Sequence, residues 1–285
     1  MQSILQWNCR GLRTSALELQ ALVRQQRPLA VCIQETKLKP DSFFSMKGYS
    51  VFRKDLTVNT IAHGGVLLAV NHSVPVRRLV VRSPLQVVAA RLSLSHREIS
   101  ICSIYLPPGV ALPRAELRQL MLELPPPVLL LGDFNSHHSV WGCDTTCSRG
   151  RLLASFLDDE SLCVLNTGSP THFTMPSGHT SVLDLSITSP QLMPLFTWRA
   201  DADAMGSDHF PVWLKYSGQV SLGCRPPRWN LRKADWSEFE ERTAQAFPTN
   251  TEDNLSVSEL TSKLIEAAEG CIPCTLGMPQ RAPVP

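Results

Sequence analysis

Up to Tyr216 the chain alternates short apolar runs with Gly, Pro, Asn or charged clusters, a spacing that predicts many strands and few helices. The runs lie at 3–8, 29–34, 49–53, 65–70, 76–81, 87–94, 99–105 and 128–131, and strands resume at 181–188 and 210–216. Leu29-Ala30-Val31-Cys32-Ile33-Gln34 is continuous and apolar, the pattern of a strand covered on both faces, and it delivers Glu35 at its end. Helical periodicity predicts helices over 15–26, 114–123 and 150–161. In the first, Ser15-Ala16-Leu17-Glu18 has capping-box spacing, Leu19, Leu22 and Val23 share a face, and Pro28 ends the run. Pro113 takes a first-turn position for the second, and Leu152, Leu153, Phe156 and Leu157 form the stripe of the third.

Adjacent strands with few interposed helices predict an α+β fold of two packed sheets rather than a doubly wound parallel sheet. Past Tyr216 the pattern changes. Residues 217–227 read as a Gly- and Pro-bearing linker, and 236–247 and 257–270 as two amphipathic helices outside the core. The expected division is therefore 1–216 and 217–285.

Composition narrows this picture only in places. With 285 residues, 43% of them hydrophobic, the chain has enough material for a substantial core. No apolar run reaches the roughly 18 residues of a bilayer span, and Met1-Gln2-Ser3-Ile4 lacks a basic secretory n-region, so a soluble intracellular protein with no membrane partner is expected. Nine cysteines, an odd number with several inside apolar runs, predict reduced buried thiols. A net charge of +2 neither announces nor excludes nucleic acid, because phosphate binding depends on where cations cluster.

Candidate chemistry gathers at strand ends. Val128-Leu129-Leu130-Leu131 runs into Gly132-Asp133-Phe134-Asn135, so a carboxylate and an amide emerge on one side of a tight turn, suited to holding a water beside phosphorus. An Asx-rich turn accounts for the same tetrapeptide without chemistry. Gly206-Ser207-Asp208-His209-Phe210-Pro211-Val212 sets an acid and an imidazole before an apolar strand, where a His acts on phosphate oxygens or takes a proton; an ordinary polar loop reads the same way. Asn8, Glu35 and Tyr105 stand at predicted strand ends, and Asp184, inside Val182-Leu183-Asp184-Leu185-Ser186, needs a partner.

In order and spacing, Trp7-Asn8-Cys9-Arg10-Gly11-Leu12, Gln34-Glu35-Thr36, Tyr105, Gly132-Asp133-Phe134-Asn135, Leu183-Asp184 and Gly206-Ser207-Asp208-His209 resemble the endonuclease/exonuclease/phosphatase superfamily. The resemblance spans about Ser3 to Tyr216 and implies a four-layer α/β/β/α sandwich, similar to deoxyribonuclease I and apurinic/apyrimidinic endonucleases. Asn8-Cys9-Arg10-Gly11, the stretch from Asp133 through Trp141-Gly142 and Leu165-Asn166-Thr167-Gly168-Ser169-Pro170-Thr171-His172-Phe173 resemble the endonuclease domain of LINE-type (non-LTR) retrotransposon polyproteins. Arg225-Pro226-Pro227-Arg228-Trp229-Asn230 and Lys233-Ala234-Asp235-Trp236 look like the connector before reverse transcriptase, a domain expected in a full-length element and without a signature in this sequence.

The resemblance implies that Glu35, assisted by Asn8, holds Mg²⁺, with Mn²⁺ as substitute, and that Asp133 and Asn135 orient or deprotonate the attacking water. Asp208 is implied as a second acidic contact to metal or water. His209 stabilises the charged phosphate with Asp184 on its other ring nitrogen, and Tyr105 contacts the phosphate. Asn166 and Thr171 are implied as phosphate-side supports, and Ser207 as an orienting group.

Other signals carry two readings each. His137 and His138 lack the spacing and further ligands of zinc, which leaves loop or DNA-facing roles. Cys271-Ile272-Pro273-Cys274 has zinc-knuckle or redox spacing without a second pair and is assigned no function. Trp141 is either buried or stacked near DNA, and Arg10, Lys37, Lys39 and Arg149 meet backbone phosphates or form a solvated surface. The function implied is a DNA-nicking endonuclease of retrotransposon type, acting at least transiently in the nucleus. The rival readings are an abasic-site repair endonuclease, a phosphatase acting on a lipid or inositol phosphate, and an inactive binding module.

Overall fold

The computed structural model describes residues 2–94, 97–218, 228–247 and 256–275. The chain forms two compact units, Met1–Ser221 and Leu222–Pro285. In the first, β1 (Ser3–Asn8) and β2 (Ala30–Gln34) are parallel and joined through α1 (Ala16–Gln26). β3 (Tyr49–Lys54) and β6 (Val66–Asn71) extend that sheet, and β4 (Thr57–Val58) and β5 (Ile61–Ala62) form an exposed hairpin between them. β7 (Val76–Leu79), β8 (Gln86–Leu94) and β9 (Arg97–Tyr105) begin a second sheet. After α2 (Arg114–Glu123), β10 (Val128–Asp133) lies parallel to β9.

α3 (Ser148–Asp159), β11 (Cys163–Val164), a hairpin of β12 (His172–Thr174) and β13 (His179–Ser181), and β14 (Asp184–Thr188) follow. β15 (Phe196–Ala200) and β16 (Val212–Tyr216) return to the first sheet. The sheet orders are β15-β16-β1-β2-β6-β3 and β11-β14-β10-β9-β8-β7.

Residue alternation along these strands produces four layers. Ile4, Cys32 and Leu68 meet Ile99, Ile101, Leu129 and Leu131 between the sheets. Their neighbours Leu5, Trp7, Val31 and Ile33 point the other way, onto Leu19 and Leu22 of α1. Ile104 and Leu130 likewise turn outward onto Leu117 and Leu120 of α2 and Leu153 and Phe156 of α3. This is the α/β/β/α sandwich that the motifs imply, and each fully buried Leu or Ile contributes roughly 1.5–3 kcal/mol to holding it.

A polar seam crosses the inter-sheet core. Gln6 Nε2 donates to the Gly132 carbonyl at 3.1 Å, and its Oε1 accepts from Ser186 Oγ at 2.9 Å. Gln34 Nε2 donates to Ser103 Oγ at 2.9 Å, and Trp198 Nε1 to Ser186 Oγ at 3.1 Å. Bonds of this kind have direction, so they fix how one sheet lies over the other where apolar contact alone would let it slide.

Several local expectations are corrected. Ser15 stands at the N-cap of α1, but its hydroxyl donates to the Cys9 carbonyl at 2.8 Å, so no capping box forms. α3 starts two residues early, because Cys147 Sγ accepts from Gly150 N and caps it. The strand expected over 181–188 is two strands, broken at Val182 and Leu183, where Thr171 Oγ1 accepts from the amides of Leu183 and Asp184 at 3.0 Å each. β4, β5, β11 and β12, each only two or three residues long, and β15 had no expectation. Cys9, Cys32, Cys102, Cys143 and Cys271 are buried free thiols.

In the second unit, α4 (Trp236–Ala246) and α5 (Val257–Cys271) pack through Ala268, Cys271, Ile272, Ala234 and Phe239. Ser256 and Glu259 form a capping box at the start of α5. β17 (Arg228–Trp229) pairs with β18 (Cys274–Thr275), and most of the expected linker, 219–227, lies outside the described residues. No helix among the described residues is long and apolar enough to cross a membrane.

Candidate active site

Strand register brings the separated motifs together. Asn8 pairs with Gln34 across the parallel β1–β2 ladder, so Asn8 and Glu35 emerge at the same edge of the first sheet. In the second sheet Asp133 is the cross-strand neighbour of both Tyr105 and Asp184. Gly132 permits this spacing, since a Cβ there would stand 1.8 Å from the Ile104 carbonyl oxygen.

The segment 207–209, just before β16, is tied in from several sides. Ser207 Oγ donates to the Asn8 carbonyl at 2.9 Å and accepts from His209 N at 3.2 Å, while Trp7 Nε1 donates to the His209 carbonyl at 2.9 Å. The backbone of 171–173 pairs with it, through Phe173 N to the Asp208 carbonyl at 2.9 Å and Phe210 N to the Thr171 carbonyl at 2.8 Å.

Asp133 is the hub. Asn135 donates to it through its backbone N and its Nδ2, both at 2.9 Å, and Asn8 Nδ2 donates to Asp133 Oδ2 at 3.0 Å and to Glu35 Oε1 at 3.1 Å. His209 Nδ1 is 2.7 Å from Asp184 Oδ2, and its Nε2 is 4.0 Å from Asp133 Oδ2. Glu35 Oε2 pairs with Lys37 Nζ at 2.9 Å, and Arg10 Nη1 with Asp208 Oδ2 at 2.8 Å. Glu35 and Asn135 both take left-handed backbone, φ 49°, a conformation asparagine tolerates and glutamate rarely adopts.

Burial and charge oppose one another here. Desolvation disfavours the His209 imidazolium, but the Asp184 carboxylate overcomes it, by charge and then by hydrogen bond, with Asp133 and Asp208 adding to it, and pushes His209 up to about 9. Burial pushes Asp133 up to about 7, with Asp184 adding to it and the His209 charge working against it. Burial would also raise Glu35, yet hydrogen bonds from Lys37 and Asn8, the Lys37 charge and the Tyr105 hydroxyl hold it below the ordinary glutamate value. Tyr105 is held in its neutral form by burial and by the charges of Glu35 and Asp133.

Asn8, Glu35, Tyr105, Asp133, Asn135, Asp184, Ser207, Asp208 and His209 thus lie in one constellation. Other candidates are placed differently. Thr171 is fully buried, its hydroxyl engaged by the Leu183 and Asp184 amides, and Asn166 spends its amide on the Asp184 carbonyl and Ser186 N, both at 2.9 Å. They hold the Asp184 strand rather than presenting polar groups to a phosphate. Trp141 is 1% exposed with Nε1 on the Ser136 carbonyl, so it offers no face to a base. His138 Nδ1 accepts from Val140 N, His137 and His138 are half-buried, and among the described residues no three His, Cys, Asp or Glu are placed to cage a metal.

Sequence reasoning missed His172, whose ring centroid lies 4.6 Å from that of His209, because pairing of 171–173 with 208–210 is a long-range event. It also missed Gln6 and Gln34, for which a signal existed: a polar residue inside an apolar strand has to be paired.

Residues 99–213 match the family described as endonuclease-reverse transcriptase. Over 279 residues, 93% of this chain, there is 24% identity to the probable RNA-directed DNA polymerase from transposon BS of Drosophila melanogaster, of which the match covers 30%. The RNA-directed DNA polymerase from mobile element jockey of Drosophila melanogaster is also 24% identical, over 94% of this chain and 30% of its own length. The chain thus spans less than a third of the curated relatives it matches. The endonuclease domain of TRAS1, a telomere-specific non-LTR retrotransposon, superposes with TM-score 0.65 at 22% identity, covering 77% of this chain and all of that one.

The fold is that of the endonuclease/exonuclease/phosphatase superfamily.

An AP endonuclease from Archaeoglobus fulgidus shares this fold at TM-score 0.61 and 15% identity, over 76% of this chain and 100% of its own. The matched segment and the architecture are those of enzymes that hydrolyse phosphodiesters and generally depend on a divalent metal. The donor set at the first-sheet edge fits such an ion. It offers the Glu35 carboxylate without an all-protein cage, while Asn8 turns its Nδ2 to Glu35 and Asp133 and its Oδ1 to Arg10 N, and a carboxylate that leaves the other positions to water and phosphate suits a hard divalent cation.

Proposed function

We infer that this chain is a Mg²⁺-dependent endonuclease of retrotransposon type that nicks one strand of DNA by attack of water on a phosphodiester, leaving a 3′-hydroxyl. The observation that carries this reading is the pairing of Asp133, held by Asn8 and Asn135, with a His209 imidazole backed by Asp184. Alignment along 93% of the chain with a transposon polymerase supports the retrotransposon type.

Asp133 orients a water through one carboxylate oxygen and takes its proton, a role matched to a carboxyl that titrates at about 7. His209, protonated at neutral pH, donates from Nε2 to a non-bridging oxygen and opposes the charge that builds on phosphorus. Tyr105 donates its hydroxyl to the same phosphate, and Ser207 keeps the His209 backbone in place. Glu35 and Asn8 would hold Mg²⁺, which supplies positive charge against the phosphate oxygens and the leaving group. A reverse transcriptase domain would accompany this one in a full-length element, with the second unit as connector.

Nicking of supercoiled plasmid tests the assignment. Wild type should convert plasmid to open circle with Mg²⁺ and stop with chelator, and Asp133→Ala and His209→Ala should each lose about 10²–10³-fold in rate. Equal nicking by all three would overturn it. Abasic-site cleavage is the second reading, favoured by the AP endonuclease fold match. A duplex carrying one abasic analogue, cut far faster than an intact duplex, would select it.

A further inference from the structure

Glu35 takes φ 49° and Lys37 φ 47°, left-handed backbone that residues with a Cβ keep only where their surroundings over-determine it. The bonds that fix this turn come from a pair of glycines. The Gly65 carbonyl accepts from Thr36 N at 3.2 Å, and the Gly64 carbonyl accepts from Lys37 N at 2.8 Å. Held in this way, the Glu35 carboxylate lies where Asn8 Nδ2 reaches its Oε1 at 3.1 Å and Lys37 Nζ its Oε2 at 2.9 Å.

The glycines need fixing in their turn. Gly64 and Gly65 are left-handed at φ 52° and 87°, and a Cβ on Gly65 would stand 2.5 Å from the buried Thr36 Oγ1, so the two segments meet where no side chain fits. Gly65 is buried, and its amide has to be paired by the protein. Gln86 supplies the partner. Its Oε1 accepts from Gly65 N at 2.6 Å, and a Cβ on Gly64 would stand 2.2 Å from the same oxygen. Gln86 opens β8 in the second sheet and lies directly across the ladder from Tyr105, so it shares a face with the tyrosine whose hydroxyl helps to hold Glu35.

We propose that Gln86 is a positioning residue for the metal site: it fixes the Gly64–Gly65 turn, that turn fixes the left-handed backbone of Glu35, and the chain of bonds sets how tightly the site takes a divalent cation. The inference rests on the nuclease reading above, in which Glu35 holds the ion. Gln86 acts through backbone, since its oxygen is spent on the Gly65 amide. Removing that oxygen loosens the carboxylate without removing a ligand, so the effect falls on affinity for the ion rather than on the rate once the ion is bound.

Binding of Mn²⁺ to the full chain, read from the EPR signal of the free ion, tests this without turnover. Gln86→Met keeps the length of the side chain and removes the acceptor, and it should bind Mn²⁺ about 10–100-fold more weakly than wild type. Gly64→Ala, whose methyl displaces the Gln86 oxygen from the other side, should weaken binding in the same direction and decides the matter if Gln86→Met does not fold. In plasmid nicking, the Mg²⁺ concentration for half-maximal rate should rise for Gln86→Met by the factor seen with Mn²⁺, and saturating Mg²⁺ should bring back most of the rate. Variants at 86 and 64 that bind Mn²⁺ as wild type does, whatever their thermal midpoints, while Glu35→Gln binds it poorly, overturn the role of Gln86 alone. A rate loss that saturating Mg²⁺ leaves in place does the same. Equal Mn²⁺ binding by Glu35→Gln and wild type overturns the metal assignment on which the inference rests.

Discussion

Asp184 sets the charge of His209, and a single carboxamide in its place isolates that effect. The sign follows from His209 being raised from an ordinary value of 6.5 to about 9 on folding. Its stabilising contribution is complete below about 6.5 and is lost as pH rises through about 9. In chelator, the thermal midpoint of wild type should therefore fall by several degrees between pH 6.5 and 9.5, and Asp184→Asn should flatten that slope. Parallel slopes would show that His209 does not carry its proton on Asp184. Asp133, raised by burial to about 7, adds a loss of stability that is over by that pH and so acts in the lower part of the window. These two residues were legible from sequence as an acid in an apolar run and an acid after one. The contact of Asp184 with His209 came only from the family resemblance, since nothing local relates the two.

At the scale of elements, strand ends were the readable feature, because an apolar run interrupted by Asn, Glu or Asp marks where a buried strand meets solvent. What turned unreadable was side-chain bonding that competes with the local pattern. Ser15 had the spacing of a cap and donated to Cys9 instead, and Thr171 split an apolar run by accepting from two of its amides. Replacing Thr171 by Val keeps the shape and leaves those two amides unpaired, so it should cost about 2–3 kcal/mol in chemical denaturation and lower nicking through Asp184.

Arg149, at the start of α3, is the corresponding link for the loop after β10. It joins the carbonyls of Phe134, Leu106 and Val110 and the Ser136 hydroxyl, and Gly150 beside it lets the helix sit against the His137 carbonyl. From sequence it carried two readings, a contact to backbone phosphate or a solvated basic surface. Its four partners predict that Arg149→Ala slows kcat about tenfold or more with little change in KM, and that added guanidinium restores part of the rate. A change confined to KM would return Arg149 to phosphate contact.

At the scale of the whole molecule, every member of the constellation from Asn8 to His209 lies in the first unit, as do both sheets and the polar seam that locks them. The TRAS1 endonuclease domain is covered completely by 77% of this chain, so a solved domain of the same fold stands without a counterpart to the rest. The second unit has its own small core of Ala268, Cys271, Ile272 and Phe239. A chain ended at Gly218 should therefore fold cooperatively, with a thermal midpoint within a few degrees of the full chain, and nick plasmid at a rate within about twofold. Loss of nicking with folding intact would mean that residues beyond Tyr216 hold DNA, and would turn the connector reading of 217–285 into that of a substrate-binding segment. Loss of folding would mean that the sandwich needs the second unit for its core.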